Sequence, residues 1–388
     1  MYEVLTLNKI AKCGLDNLDK DLFTVTDELK NPDAIILRSF KMHDMPLPKS
    51  LKCVARAGAG VNNIPIDKCS ENGIVVFNTP GANANAVAEL TIAGLLLASR
   101  KITDSVIWAK TLKGEGDNVG ALVEKGKSAF AGPEIFGKKL GVVGLGAIGA
   151  KVANLAVALG MEVVGYDPYI SVEAAWTISS SVKKCTDLKM LVSGCDYISM
   201  HLPLNDGTRG MVNDELFECM EKGTRLLNFS RGELVDTAAL KKAIDNGTIA
   251  SYVVDFPSEE TLGMENVVNI PHLGASTPES EDNCAVMAAK ELSEFMKYGN
   301  IKNSVNYPNI VLNIETKYRV TIAHKNIPNM LTSFSAIFAN DNINIVNMLN
   351  KSKKDNAYTI IDVDTVPAGL EEELNAVDGV YKVRIIEA

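Results

Sequence analysis

Leu140-Gly-Val-Val143, an apolar run of strand character, opens directly into Gly144-Leu-Gly146-Ala-Ile-Gly149, and a helical pattern continues to Leu159. No other feature of the chain narrows its possible folds as much. Three glycines at that spacing mean little alone, because glycine supplies 29 of the 388 residues. At a strand-to-helix turn each has a physical task. Gly144 permits the tight turn, Gly146 lets a pyrophosphate approach the N–H groups that open the helix, and Gly149 lets helix and strand pack closely. Ala147 and Ile148 complete the turn. A second strand candidate, Glu162 to Tyr166, leads into Asp167. That is the distance at which an acid accepts hydrogen bonds from a ribose and repels a 2′-phosphate. The expectation is a dinucleotide site for NAD in preference to NADP; the competing reading is a glycine-rich turn that binds nothing.

The surrounding rhythm agrees. Leu140 to Gly144, Glu162 to Tyr166, Tyr197 to His201, Arg225 to Asn228, Ser251 to Asp255 and Val267 to Ile270 alternate with helical segments, as a Rossmann-type, doubly wound parallel sheet requires. Before them, Ala34 to Leu37, Cys53 to Ala55 and Ile74 to Phe77 read as strands of a second parallel sheet. Asn85 to Arg100 is apolar nearly all round, which predicts a buried helix capped by Asn83 or Asn85. A further helix runs from Ser276 to about Gly299, and Asn306-Tyr-Pro-Asn309 reads as a linker. The last 80 or so residues spell strand, helix, strand, strand, helix, strand. The expected class is α/β with three units: residues 1–84 plus 276–305, residues 85–275, and residues 310–388.

With Arg56-Ala-Gly-Ala-Gly60, Asn78-Thr-Pro80, Val87-Ala-Glu-Leu90, Asn228-Phe-Ser-Arg-Gly232 and Pro271-His-Leu-Gly-Ala-Ser276 added to the glycine turn, the chain resembles the D-isomer-specific 2-hydroxyacid dehydrogenases over nearly all of residues 1–303. The resemblance implies a flavodoxin-like first domain that binds substrate and oxidation of a 2-hydroxy acid by NAD. That chemistry needs a cation for the carboxylate and a base for the hydroxyl proton. Arg231, just past a strand end, offers a planar two-pronged donor. His272, past another strand end, titrates near neutrality and can take and return a proton. The family pairs this histidine with a glutamate. Counting from Arg231 gives Glu260, aligning Phe256-Pro257 gives Glu259, and both stay open. The resemblance further implies that His201, Leu202, Phe229, Ser230, Asp255, Gly274 and Ala275 line the cofactor cleft, Asp255 holding the nicotinamide carboxamide.

Arg38 and Arg56 stand where the branch acting on 3-phospho-D-glycerate has arginines for its phosphorylated substrate. The backbone from Gly58 through Ala59 and Gly60 to Asn62 offers amides for an anion nest. The segment 110–136 does not follow the family pattern, and its Lys113, Lys125 and Lys127 have no assigned place. The C-terminal unit resembles the ACT domain, a βαββαβ, ferredoxin-like amino-acid sensor. Its likeness to the serine-sensing kind rests on His324, Asn326, Pro328 and Asn344, and Asn329 and Asn342 stand where that kind has glycines. The resemblance implies L-serine as effector and a homodimer or homotetramer.

Composition excludes other classes. A net charge of −9 argues against a nucleic-acid partner, which needs a basic face. Seven scattered cysteines without a CxxC pair argue for reduced thiols and against a zinc site. The start lacks a basic-then-apolar leader, and the longest apolar run is too short to span a membrane. The expected setting is the cytoplasm. Another 2-hydroxy acid as substrate, and a nucleotide-sensing binding protein without catalysis, are the competing functions.

Overall fold

The computed structural model describes residues 1–387, apart from the side chain of Glu173. The chain divides into two compact units, Met1–Asn83 with Glu281–Ala388, and Ala84–Ser280.

The first unit begins with five parallel strands: β1 (Tyr2–Leu7), β2 (Phe23–Thr26), β3 (Ala34–Leu37), β4 (Cys53–Arg56) and β5 (Val75–Phe77), in the order β2-β1-β3-β4-β5. That order is the flavodoxin-like one. Strands β3, β4 and β5 are buried along almost their whole length, so they read as continuous apolar runs. The helix Pro278–Tyr298 covers one face of this sheet through Cys284, Ala285, Ala288, Leu292, Phe295 and Met296. Gly14 is glycine because a Cβ there would stand 2.5 Å from the Ala285 backbone.

The second unit carries seven parallel strands: β6 (Lys139–Val143), β7 (Glu162–Tyr166), β8 (Lys183–Lys184), β9 (Tyr197–Met200), β10 (Thr224–Asn228), β11 (Ile249–Val254) and β12 (Val267–Asn269). Their order, β12-β11-β10-β9-β6-β7-β8, is doubly wound, with the reversal between β6 and β9. All six expected strands are present; the two-residue β8 at the edge is additional. The helix Ala84–Ser99 buries Val87, Ala88, Thr91, Gly94, Leu95 and Ala98. Gly94 admits the Phe229 ring, whose edge would come within 2.5 Å of any Cβ there. The helices Ile102–Thr111 and Val119–Gly126, in and beside the segment that departs from the family pattern, bury no residue at all.

The C-terminal part of the first unit is β13 (Tyr318–Lys325), a helix Met330–Asn340, β14 (Ile345–Lys353), β15 (Asn356–Val363), a helix Leu370–Asn375 and β16 (Val380–Glu387). The strands pair antiparallel in the order β14-β15-β13-β16, which is the split βαββαβ arrangement. Asn329 and Asn342 both take left-handed backbone, at φ 70° and 54°, the conformation asparagine tolerates best after glycine. One face of the sheet packs on its two helices through Val320, Ile322, Phe334, Phe338 and Leu374. Ala323, Tyr358 and Ile360 turn the other way and join the core of the five-stranded sheet.

This module is therefore built into the first unit. Arg319 and Asp362 pair at 2.6 Å with both side chains fully buried. The guanidinium also donates to the carbonyls of Tyr298, Leu312 and Asn313 and to Asn300 Oδ1. Arg384 donates to the carbonyls of Phe295 and Met296. Two arginines of the module thus bond to carbonyls at the C-terminal end of the long helix, where cations are also favoured by its dipole. The segment 306–309, read from sequence as a linker, is not free: Asn306 and Tyr307 are buried. Asn306 donates to Ser70 Oγ and the Ile74 carbonyl and accepts from Val76 N, and the Tyr307 hydroxyl donates to the Ser70 carbonyl. Its polar composition serves the edge of β5 rather than solvent.

No helix among the described residues is long and apolar enough to cross a membrane.

Candidate active site

In the second unit, β6 leads into Gly144, whose φ of 90° demands glycine, as does the His201 carbonyl oxygen that would lie 2.5 Å from a Cβ there. Gly149 is as tightly constrained, since a Cβ would lie 1.9 Å from the Gly144 carbonyl oxygen. Gly146 is different. It caps the helix Ala147–Ala158, and nothing lies within 4 Å of where its Cβ would stand. Packing therefore explains Gly144 and Gly149, while Gly146 leaves an open cradle over the first N–H groups of a helix, which fits a pyrophosphate. Ala147 and Ile148 form the first turn of that helix. Asp167 accepts from Leu145 N at 2.8 Å and Tyr169 N at 2.9 Å, so it braces the glycine turn and retains lone pairs for a ribose.

His201 follows β9. Its Nε2 meets Ser199 Oγ at 2.8 Å, its Nδ1 is buried without a partner, and burial pushes its pKa down to about 4. Burial thus favours the neutral ring, which packs against the glycine turn. Leu202 also borders Gly144. The Phe229 ring is buried against Gly94, so that side chain serves the core instead of facing a cofactor. Ser230 Oγ donates to the Met200 carbonyl, fixing the turn after β10 beside β9.

Arg231 lies just beyond β10. Asn228, buried in β10, donates to the Arg231 carbonyl at 2.8 Å and to Tyr252 Oη, and it accepts from Ser230 N. The Arg231 guanidinium stays exposed and stacks 5.4 Å from the centre of the Phe256 ring. His272 packs on that same ring, 4.6 Å centre to centre. Two residues 41 positions apart in sequence thus flank one aromatic side chain. His272 has φ 54°, a costly conformation for a residue with a side chain. Asp255, buried, holds the following turn by accepting from Leu273 N at 2.7 Å and Gly274 N at 2.8 Å. Burial raises the Asp255 pKa, while those amides and the nearby His272 oppose the rise. Gly274 cannot carry a Cβ, which would meet Asp255 Oδ2 at 2.8 Å, and Ala275 follows it in the same turn.

The two candidate glutamates stand apart from this arrangement. Both open the short helix Glu259–Leu262, capped by Ser258, and both are exposed. Glu260 lines a cavity with Thr237, Lys241 and Asp245, and the Ser258 hydroxyl lowers its pKa. Among the described residues neither glutamate reaches His272 by a hydrogen bond or ion pair.

In the first unit, Arg56 Nε donates to the Arg38 carbonyl at 3.1 Å, so the two expected arginines are brought together. Arg38 pairs with Glu281 at 2.7 Å. The Arg56 guanidinium folds over Gly58, where a Cβ would lie 2.5 Å from its Nη1. Of the loop amides, Gly58 N donates to the Arg56 carbonyl, and those from Ala59 through Gly60 to Asn62 have no protein acceptor among the described residues. Asn78 and Thr79 pin this loop: Asn78 Nδ2 donates to the Ala59 carbonyl at 2.6 Å, and Thr79 N to the Gly58 carbonyl. Phe256, Asn228, Asn78 and Glu281 were not expected from sequence as site residues. Asn228 and Asn78 both lie in motifs that were singled out for their neighbours.

In the C-terminal module His324 is 2% exposed and bonded at both ring nitrogens, to the Lys325 carbonyl and to Thr359 Oγ1. It also packs edge-on against Phe334. Asn326 donates to the Lys354 carbonyl, and Asn344 is exposed. Of the expected trio, His324 belongs to the interior and Asn344 to the surface.

Residues 92–274 match the family described as D-isomer specific 2-hydroxyacid dehydrogenase, NAD binding domain. The chain is 36% identical over 293 residues to a D-3-phosphoglycerate dehydrogenase of Methanocaldococcus jannaschii, covering 73% of this chain and 53% of that protein. It is 34% identical to the Bacillus subtilis protein of the same description, covering 79% and 59%. The chain thus spans little more than half the length of these relatives. Among solved structures it is similar to an NAD⁺-bound 3-phosphoglycerate dehydrogenase of Entamoeba histolytica, with a TM-score of 0.61 at 26% identity over 80% of this chain and 99% of that one.

Proposed function

From a nucleotide-binding segment that matches the D-isomer specific 2-hydroxyacid dehydrogenases, we propose that this chain oxidises 3-phospho-D-glycerate to 3-phosphohydroxypyruvate with NAD. The observation that carries the reading is the placement of Arg231 and His272 on the single Phe256 ring. One supplies a fixed cation for a carboxylate, the other a general base. Gly144, Gly146, Gly149 and Asp167 would hold NAD, the last through the ribose, and the bound cofactor would supply the acceptor for the C2 hydride. Arg231 binds the substrate carboxylate and polarises the C2 oxygen. A ring nitrogen of His272 takes the hydroxyl proton. Arg38, Arg56 and the loop amides from Ala59 to Asn62 bind the phosphate.

The remaining roles rest on the resemblance stated above. The C-terminal module is an ACT-type regulatory domain answering to L-serine, the enzyme assembles as a homodimer or homotetramer, and its setting is the cytoplasm. The domain division 1–84 plus 276–305, 85–275 and 310–388 assigns substrate, cofactor and regulation respectively. An assay of NADH appearance over a panel of 2-hydroxy acids, with and without L-serine, tests the reading. Activity on phosphoglycerate that falls sharply in Arg38→Ala is the expected result. Equal activity on unphosphorylated acids overturns the substrate assignment, and no activity on any of them overturns the enzyme.

A further inference from the structure

Within the first unit a cavity of about 700 Å³ opens along the seam between the C-terminal module and the five-stranded sheet. Asn78, Pro80, Asn303 and Pro308 form one wall, and Lys351 and Lys353 of β14 form the other. The lysines stand two positions apart on one strand, so both side chains leave the same face. No acidic residue lines the cavity, and neither lysine belongs to an ion pair among the described residues. Lys353 donates one N–H to the Ser304 carbonyl at 2.7 Å and keeps two for another acceptor. Two ammonium groups without a carboxylate partner thus face amide side chains and proline walls.

We propose that this cavity is a binding site for a small, multiply charged organic anion, a polycarboxylate or a phosphate ester, distinct from the Arg38 and Arg56 site. The volume suits a metabolite-sized ligand, and the lining combines apolar surface with a few convergent polar groups. An anion there bridges Lys351 and Lys353, with Asn78 and Asn303 in reach for its remaining oxygens. It also relieves Lys353, whose pKa is lowered by burial and by its neighbour Lys354.

The site has a short route to the substrate-binding loop. Asn78 is part of the cavity wall and donates directly to the Ala59 carbonyl, while its own backbone N–H donates to the Asn303 carbonyl at 3.3 Å. A ligand drawn against Asn78 therefore acts one hydrogen bond away from the loop 58–62. The binding claim stands on the cavity alone; only its effect on substrate affinity rests on the proposed reaction.

Calorimetry on the full chain with citrate and, separately, with inorganic phosphate tests the site and separates the two anion sources. Citrate binding with an affinity that Lys351→Glu weakens by roughly tenfold or more, as expected for loss of a charge-assisted contact, supports the proposal. Lys351 is exposed, so the variant keeps the fold. Arg38→Ala leaves that affinity within about twofold, a change too small to mark a lost contact. Phosphate that binds alone, with the same dependence on Lys351, narrows the ligand to phosphate esters. Hydrogen exchange in residues 56–62 slows on binding in the wild type and not in Lys351→Glu. Binding that survives Lys351→Glu, binding abolished by Arg38→Ala, or no binding of either anion at millimolar concentration overturns the proposal.

Discussion

Replacing Arg319 by methionine removes a guanidinium that makes two bonds to Asp362 and four to other acceptors around the end of the long helix. The larger loss is electrostatic. Asp362, fully buried, is left as an unpaired carboxylate, which costs about 3–5 kcal/mol. Three carbonyls and one side-chain amide oxygen also lose a donor, at up to about 1 kcal/mol each where water cannot replace it. Asp362→Asn differs in kind. It strands the buried Arg319 cation instead, at about 3 kcal/mol, the low end for a broken buried pair, because the amide oxygen still accepts and the four other acceptors remain. With the acceptors that Arg319→Met also leaves without a donor, the two variants should differ by about 3 kcal/mol, or roughly a hundredfold in an opening equilibrium. Native-state hydrogen exchange in β13 and β15 reads that difference locally. Both tryptophans, Trp108 and Trp176, lie in the other unit, and their emission should not move. The double variant Arg319→Met/Asp362→Leu should regain much of the loss, because no charge is stranded. Equal exchange in the two single variants, or a worse result for Asp362→Asn, would refute the argument.

His272→Asn should lower turnover by ~10²–10⁴ with NAD binding intact; turnover within a few-fold of wild type removes it as the base. Of Glu259→Gln and Glu260→Gln, one should shift the pH–rate profile if either glutamate serves His272 during turnover, and two unchanged profiles leave Asp255 as its acidic neighbour. Asp167→Ala with a basic residue added nearby should improve use of NADP relative to NAD, and a wild type already preferring NADP contradicts the charge argument. Glu291 is buried, accepts from Asn303, and has its pKa pushed up to about 8 from 4.5. Its folded form holds the proton more tightly, so the stability it confers is complete below about pH 4.5 and is lost as pH rises through about 8. Urea midpoints should fall across that window in the wild type and fall less in Glu291→Gln; identical pH slopes count against the assignment.

The nucleotide-binding unit was readable because its strands are short apolar runs set between glycine-rich turns, and because Gly144, Gly149 and Asp167 answer to local sterics and hydrogen bonding. Strands β1 and β2 escaped notice since Tyr2–Leu7 and Phe23–Thr26 mix polar and apolar residues toward a sheet edge. The C-terminal βαββαβ order was legible, and its ends shifted by a few residues: β14 runs on to Lys353 where the apolar pattern stops at Leu349. What sequence could not convey was burial of polar groups. Asn306 looks like linker until its amide is seen closing the β5 edge, and His324 looks like a ligand-facing residue until both nitrogens find partners inside. The pairing of Arg231 and His272 across Phe256 is likewise a property of two strand ends that local spacing does not record.

The long helix and the module that cap the five-stranded sheet also set an order of events during synthesis. Strands β1 to β5 leave the ribosome before the apolar residues that cover them, Cys284 to Phe295 and then Ala323, Tyr358 and Ile360, which emerge roughly 200 to 280 residues later. At ~5–20 residues per second that is a wait of tens of seconds. The interrupting stretch, Ala84–Ser280, is a contiguous unit with its own core and can fold meanwhile. Chains stalled near residue 300 should thus show a protease-resistant middle and a sensitive start. The five-stranded sheet, made before the elements that cover it, becomes native only after them, and it is the segment for which a chaperone has the longest use.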